Sequence, residues 1–366
     1  MIRVLLVDDS PLVLHVLQSL LSRSPEIQVV GTAANGKQAL DLVPALNPDV
    51  ICTDLHMPVM DGLEFTRAVM DRYPRPILVV SVSVEADSPN VFKLLEAGAV
   101  DVFPKPSAIQ DSDLDQIANE LSRKIRILSG VKVFRRNKGM KSPTIASPPI
   151  IPSRRQSPPR IVVIGASTGG PQALREILSH LPSSFPLPVM CVQHIGASFL
   201  TGMVEWLDDA CQLTVRKACQ GETPRHGIVY FAPENTHLEL DGGGRFSLSI
   251  KPPLDGHRPS VTVTMQAAAH YFGAGTVGVL LTGMGRDGAD GMASIAAAGG
   301  ITFAQNETSS VVYGMPKEAV ALGAVQHILS LEQIAPALDE LVNPMRSVDG
   351  GMRNKPNAES GMRGVE

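Results

Sequence analysis

The stretch Ile161–Pro171, IVVIGASTGGP, constrains this chain more than any other. Apolar, β-branched residues run straight into a glycine-flanked serine, and the proline that follows suits the first position of a helix, where its missing N–H costs nothing. A short run of this kind reads as a buried strand of a parallel sheet, and such a sheet carries helices on both faces. Ser167 then sits on a sharp strand-to-helix turn. Gly165-Ala166-Ser167-Thr168-Gly169 has the G-x-S-x-G spacing of a nucleophile elbow, which presents a serine hydroxyl at the carboxyl edge of the sheet. The same residues also suit a turn that only packs strand against helix, or one that holds a phosphate. The dinucleotide spacing G-x-G-x-x-G and the P-loop lysine are both absent.

The chain of 366 residues is long enough for two domains, each with its own core. Its charge divides it in three. Residues 1–128 hold 11 basic and 17 acidic side chains, residues 129–160 hold 8 basic and no acidic ones, and the remainder holds 13 against 19. The basic segment also gathers Pro143, Pro148, Pro149, Pro152, Pro158 and Pro159 among serines, a composition with too little apolar surface to offset its ordering entropy. We read domains at 1–128 and 160–344, a linker at 129–159 and a disordered tail at 345–366. The net charge of −4 argues against nucleic acid as the main partner. Cys52, Cys191, Cys211 and Cys219 form no C-x-x-C pair, so neither a disulfide framework nor a zinc site is expected. With no secretory signal and no apolar run long enough for a bilayer, the expectation is a soluble cytoplasmic protein without membrane insertion.

In the first domain, strand patterns at Ile2–Val7, Gln28–Gly31, Val50–Thr53, Ile77–Val80 and Val100–Phe103 alternate with helical spacing. Regular alternation predicts a doubly wound, five-stranded parallel sheet with its ligands at the carboxyl ends of the strands. Those ends carry Asp8, Asp9, Asp54, Ser81 and Lys105. Three carboxylates at one edge repel each other unless a cation lies among them, and a few hard oxygens suit Mg²⁺. Asp54 is the natural carboxylate nucleophile for phosphoryl transfer, with Lys105 and Ser81 placed to contact the phosphate. Acids that merely cap helices would explain Asp9 or Asp61 singly, but not the whole combination.

In the second domain, strand patterns fall at Pro188–Gln193, Thr276–Leu281, Ile301–Ala304 and Val311–Tyr313. Helices are expected over Gln172–Leu181, Ser198–Leu207, Val261–Phe272, Ala289–Ala298 and Leu331–Leu341. Three runs of β character (Gly227–Ala232, His237–Leu240 and Arg245–Ile250) intervene. The expectation is a second α/β domain with a mostly parallel sheet and an antiparallel excursion. A serine nucleophile needs a base, and the base needs an orienting acid. His194 directly follows a buried-strand pattern, and Asp287 lies in a glycine-studded loop at another strand's end, so these are the candidates. The backbone amides of Met284 and Thr168 are candidate oxyanion donors. The order Ser…His…Asp differs from the Ser…Asp…His of α/β-hydrolases, so the elbow does not imply that fold.

The residues DD at 8–9, DLHMPVMDG at 54–62, Ser81 and Lys105-Pro106 resemble the response-regulator receiver domain over nearly all of residues 1–125. That resemblance implies Asp54 as phosphoacceptor, Asp8, Asp9 and Asp54 around Mg²⁺, and the His56 backbone carbonyl as a further metal ligand. Where receivers usually carry an aromatic or His three residues before the lysine, this chain has Val102. IGASTGGP, QHI at 193–195, HRPSV at 257–261, LLTGMGRDG at 280–288, AQNE at 304–307 and GMPKEA at 314–319 resemble the catalytic domain of the chemotaxis protein-glutamate methylesterase (CheB) family. The resemblance implies Ser167 as nucleophile, His194 as base, Asp287 as orienter and the Met284 amide in the oxyanion hole. It implies glutamyl methyl esters on the cytoplasmic helices of chemoreceptors as substrates, with methanol released and some receptor glutamines deamidated. A chemotaxis histidine kinase would be the phosphodonor. Thr262 stands where an acid often follows HRPSV. Two other readings are a response regulator whose second domain only binds protein, and a hydrolase of small esters. Methanol release from methylated receptor, set against turnover of a generic aryl ester, separates all three.

Overall fold

The computed structural model describes residues 1–82, 88–106, 111–133 and 157–343. Most of the expected linker (134–156) and all of the expected tail (345–366) lie outside the described residues. The first unit alternates β1 (Ile2–Val7), α1 (Pro11–Ser22), β2 (Ile27–Ala33), α2 (Gly36–Leu46), β3 (Val50–Thr53), α3 (Gly62–Arg72), β4 (Ile77–Ser81), α4 (Ser88–Ala97), β5 (Asp101–Pro104) and α5 (Asp111–Ser129). Its five strands are parallel, in the order β2-β1-β3-β4-β5. β3 and β4 are wholly buried, as strands covered on both faces must be. Side chains fix the helix starts: Ser10, Asn35 and Asp61 each accept the N–H three residues on.

The second unit begins with β6 (Ile161–Ala166), α6 (Gly170–His180), β7 (Val189–Gln193), α7 (Ala197–Ala210), β8 (Thr214–Lys217), β9 (Ile228–Phe231), β10 (His237–Leu240) and β11 (Phe246–Ser249). It continues with α8 (Val261–Phe272), β12 (Thr276–Leu280), α9 (Ala289–Ala297), β13 (Ile301–Gln305), α10 (Met315–Ala321), β14 (His327–Leu329) and α11 (Leu331–Val342). Seven strands form one parallel sheet in the order β14-β13-β12-β6-β7-β9-β8, and β10 and β11 make a separate antiparallel pair. β6, every residue of it buried, lies at the centre of the seven. The order of strand addition switches about it: β7 follows on one side and β12, later in the chain, lies on the other. A crevice at the strand ends is the geometric result of such a switch in strand order.

One expected strand is absent. Val311–Tyr313 has β-branched residues but no partner strand; its backbone serves the β12 loop instead, with Gly283 N–H donating to Val312 O at 3.0 Å and Val312 N–H to Thr282 Oγ1 at 2.9 Å. The short edge strands β8 and β14 were not expected.

The two units meet through α4 against α6 and α7. Phe92 stacks on Trp206 at 5.3 Å, and Trp206 Nε1–H donates to Glu96 at 2.8 Å. Arg175 pairs with Glu96 at 3.2 Å, and the Gln172 amide donates to Ala99 O at 2.8 Å. Among the described residues no helix is long and apolar enough to cross a membrane.

Candidate functional site

Each sheet carries a site at its carboxyl edge. In the first unit, β1 delivers Asp8 and Asp9, β3 delivers Asp54, β4 ends in Ser81 and β5 leads to Lys105. The carboxylates of Asp8, Asp9 and Asp54 offer oxygens within 4.8 Å of one another, an acidic cluster typical of a Mg²⁺ site. Lys105 Nζ lies 2.8 Å from Asp8 and 2.8 Å from Asp54. Burial, helped by the Asp8 charge, holds the Asp54 carboxyl above its usual range against the pull of Lys105. Burial alone would lower Lys105, but its two carboxylate partners outweigh it and its pKa rises. Ser81 is buried and His56 is exposed on the loop that follows Asp54. The structure thus brings every expected receiver residue to one edge.

In the second unit, β6 ends at Ala166 and the chain turns through Ser167 into α6. The turn needs glycine twice. Gly169 has φ +75°, and a Cβ at Gly283 would stand 2.6 Å from the Ser167 Cβ. The Ser167 N–H donates to Thr282 O at 3.0 Å, so the elbow is tied to the β12 loop. Where β7 ends, the His194 N–H donates to Ala166 O at 3.0 Å, which sets His194 beside the elbow. His194 Nε2 meets Asp287 Oδ2 at 2.9 Å, while its buried Nδ1 has no partner among the described residues. The His257 ring lies on the His194 ring, centroids 3.8 Å apart and 4° from parallel. Burial and the neighbouring imidazole push the His257 pKa down to about 4, so it is uncharged near neutrality.

Asp287 is saturated with donors. Besides His194 it accepts from Ser260 Oγ at 2.8 Å, Val261 N–H at 2.8 Å and Thr262 N–H at 2.9 Å. The last two are first-turn amides of α8, whose N-terminus favours a negative charge. Burial would raise the carboxyl; the bonds from His194, Thr262 and Ser260 outweigh it and hold Asp287 well below the usual carboxylate range. Thr262, the departure noted in the sequence, uses its hydroxyl to accept from Gly288 N–H at 2.7 Å, so it too braces the Asp287 loop.

Ser260, His237 and Asp287 form a second connected network whose composition is consistent with a triad. Its wiring differs from the first. The Ser260 hydroxyl donates to Asp287 and accepts from Val263 N–H as the α8 cap. His237 Nδ1 lies 3.2 Å from the Ser260 backbone N, and its Nε2 faces Pro252 O at 3.2 Å. Both side chains are fully buried.

Ser167, Thr168, Gln193, His194, His257, Arg258 and Met284 line a cleft of about 190 Å³, and Glu120, Arg123, Lys124 and Ile127 of α5 form its opposite wall. Neither the Thr168 nor the Met284 N–H has an acceptor among the described residues. His257, Arg258 and Gln193 were not singled out as site residues from the sequence. His257 and Arg258 did stand within the HRPSV motif, and Gln193 within QHI.

A receiver sheet fused to an α/β domain with a serine elbow at its switch point defines a phosphorelay-linked hydrolase class. The sequence comparisons narrow this. Residues 162–338 match the model of the CheB methylesterase family and residues 4–118 that of the response regulator receiver domain. A protein-glutamate methylesterase/protein-glutamine glutaminase of Nitrosospira multiformis is 43% identical, over 93% of this chain and 97% of its own. One from Methanospirillum hungatei is 44% identical, over 93% and 98%. The chain belongs to the CheB methylesterase family, as a protein-glutamate methylesterase/protein-glutamine glutaminase with an N-terminal receiver domain.

Proposed function

We propose that Ser167, His194 and Asp287 carry the reaction, with the amides of Met284 and Thr168 as the oxyanion hole. The observation that carries this is the cleft: it is lined by Ser167 and by a histidine whose Nε2 lies 2.9 Å from Asp287 and whose Nδ1 has no partner among the described residues. Asp287 fixes the tautomer, leaving the Nδ1 lone pair to take the Ser167 proton. The Ser167 oxygen bonds to the γ-carbonyl carbon, the C–OCH₃ bond breaks, and His194 returns the proton to the leaving methanol. Water then attacks the acyl-serine by the same route and frees glutamate. A glutamine side chain, losing ammonia, follows the same steps.

The substrates in this reading are methyl-esterified glutamates on cytoplasmic helices of chemoreceptors, so the enzyme works in the cytoplasm. A chemotaxis histidine kinase supplies phosphate to Asp54. Asp8, Asp9, Asp54 and the His56 carbonyl would hold Mg²⁺, and Ser81 and Lys105 would contact the phosphoryl group. The metal would offset negative charge while the phosphoryl group is transferred; Lys105, between two carboxylates, already does part of this. The functional units are 1–128 and 160–344, joined by 129–159 and followed by the tail 345–366. Because α5 forms one wall of the catalytic cleft, the unphosphorylated receiver excludes a bulky helical substrate.

The test is methanol release from methylated receptor by Ser167→Ala and Ser260→Ala. Ser167→Ala is expected to lose at least about three orders of magnitude. Ser260→Ala, which removes one donor to Asp287 and one helix cap, is expected to retain measurable turnover. The reverse ranking in two folded proteins would assign the nucleophile to the buried network.

A further inference from the structure

Three consecutive peptide units make the elbow, and the structure anchors each of them. The Ala166–Ser167 unit is held at both ends, its carbonyl by His194 N–H and its N–H by Thr282 O, each at 3.0 Å. The carbonyl of the Thr168–Gly169 unit accepts from Thr282 Oγ1 at 3.0 Å. Between them, the Ser167 carbonyl accepts from Gly170 N–H at 2.8 Å and from the Gln193 side-chain Nε2 at 2.8 Å. Nε2 also donates to His194 O at 2.9 Å, so one buried amide joins the serine turn to the histidine turn. The reverse amide orientation would set Oε1 against two carbonyl oxygens, so the network itself fixes which end is which. Oε1 is buried with no partner among the described residues and faces Gly170, where a Cβ would stand 2.0 Å from it.

A peptide unit is planar and trans, so its C=O and N–H point in opposite directions. Drawing the Ser167 carbonyl toward Gln193 therefore turns the N–H of the same unit, which belongs to Thr168, away from Gln193. We infer that Gln193 is a positioning residue for catalysis: its two-carbonyl clamp aims the Thr168 N–H at the developing oxyanion. The inference rests on the Ser167 reading. Gly170 N–H holds the same carbonyl, and the Gln193 amide supplies the second bond that fixes the plane of this peptide. A donor aimed in advance stabilises the transition state and not the ground state, so the clamp acts on kcat. Gly170 leaves the room that Oε1 requires.

The test uses the full chain with methylated receptor. Gln193→Met keeps length but has no donor. Removing an oxyanion donor outright costs about 10²–10³ in kcat, so misaiming one is expected to lower kcat by about 10–100-fold, with KM within about twofold. Affinity for a trifluoromethyl ketone analogue of the γ-ester should fall in proportion to kcat/KM. Gln193→Glu regains one donor when protonated, so its activity relative to Gln193→Met is expected to rise as pH falls from 8 to 6. That recovery is one that lost packing alone would not produce. A kcat within about twofold of the parent, or a loss shared by KM with no recovery in the Glu variant, overturns the clamp. Ser167→Ala, run in parallel, separates the two claims: turnover there defeats the nucleophile assignment, whereas an inert Ser167→Ala beside a fully active Gln193→Met defeats the clamp alone.

Discussion

Asp54 and Asp287 are each buried at the carboxyl edge of a parallel sheet, yet they are wired in opposite senses. Asp287 receives four hydrogen bonds, two of them from the first turn of a helix, and its pKa falls. Asp54 has Lys105 on one side and a second carboxylate, Asp8, on the other, and its pKa rises. A carboxylate whose lone pairs are filled can only orient and stabilise what it touches. One with lone pairs to spare and an excess of negative charge around it is ready for a cation and an electrophile. The number of donors, not the fold, separates the acid proposed to orient His194 from the acid proposed to accept phosphate.

The largest expected effect breaks the first of these arrangements. Asp287→Asn keeps the volume but puts an amide against Ser260 Oγ, two backbone N–H groups and His194. The amide nitrogen cannot accept these bonds, and His194 loses the partner that fixes its tautomer. Methanol release is expected to fall by about 10³–10⁴-fold. A loss under about tenfold would mean that His194 is oriented by something else, with the His257 stack as the nearest candidate.

The second prediction tests the other carboxylate. Asp54→Asn is expected to abolish both labelling from a small phosphodonor and the rise in methanol release that the phosphodonor produces. EDTA should block labelling of the parent protein, because Asp8, Asp9 and Asp54 cluster as a site for a divalent cation and Lys105 pairs with two of them. Undiminished labelling in EDTA would show that Lys105 alone neutralises the phosphoryl group.

Most of this contrast was legible in the sequence, and the unread part has a common physical cause. Asp8, Asp9, Asp54, Lys105, Ser167 and His194 each terminate or closely follow an apolar strand pattern, so local periodicity places them at sheet edges, while Asp287 lies seven residues past the end of β12 and was found from its glycine-studded loop. The donors to Asp287 come from the start of α8, 25 to 27 residues away in sequence. No periodicity reports that this helix start abuts the β12 loop. Gln193 was hidden for a different reason: it reads as the last residue of a buried strand, and only the side-chain geometry shows it bridging two turns. The short edge strands β8 and β14 have mixed polarity because one margin of each is unpaired, which blurs the pattern. Val311–Tyr313 misled in the opposite way: its β-branched residues serve a loop with no partner strand.

The third prediction concerns the wall that the receiver contributes to the cleft beside Ser167. α5 of the receiver lines the cleft beside Ser167 and His194, and Phe92, Glu96 and Ala99 fasten the receiver to α6 and α7. A fragment starting at Arg160 is expected to release methanol about tenfold faster than the unphosphorylated full chain, which needs only about 1.4 kcal/mol of difference between docked and open states. Full-chain Trp206→Ala, which removes the stack on Phe92 and the bond to Glu96, should move part of the way toward the fragment. A fragment no faster than the full chain would leave the receiver as an activator or a targeting module.

The smallest effect is one of pH, and it sharpens the contrast by adding a group that is neither nucleophile nor ligand. His257 has a folded pKa of about 4, lowered first by burial and then by the adjacent His194 and by Arg123 of α5, with Asp287 opposing. In the unfolded chain it titrates near 6.5. Between these values the unfolded state binds the proton and the folded state does not, so stability falls as pH drops from about 6.5 to 4. His327, also lowered by burial, adds to the same slope. Asp287 acts elsewhere: its lowered pKa contributes stability that is present above the unfolded carboxylate value and is lost only as the pH falls below it. His257→Gln should therefore flatten the dependence of Tm on pH between 6.5 and 4.5, leaving the slope due to His327, while the acid limb below pH 4 persists. In the Arg160 fragment, which lacks Arg123, the His257 contribution should shrink. An unchanged slope in His257→Gln would mean that the folded chain protonates His257 as readily as the unfolded chain does.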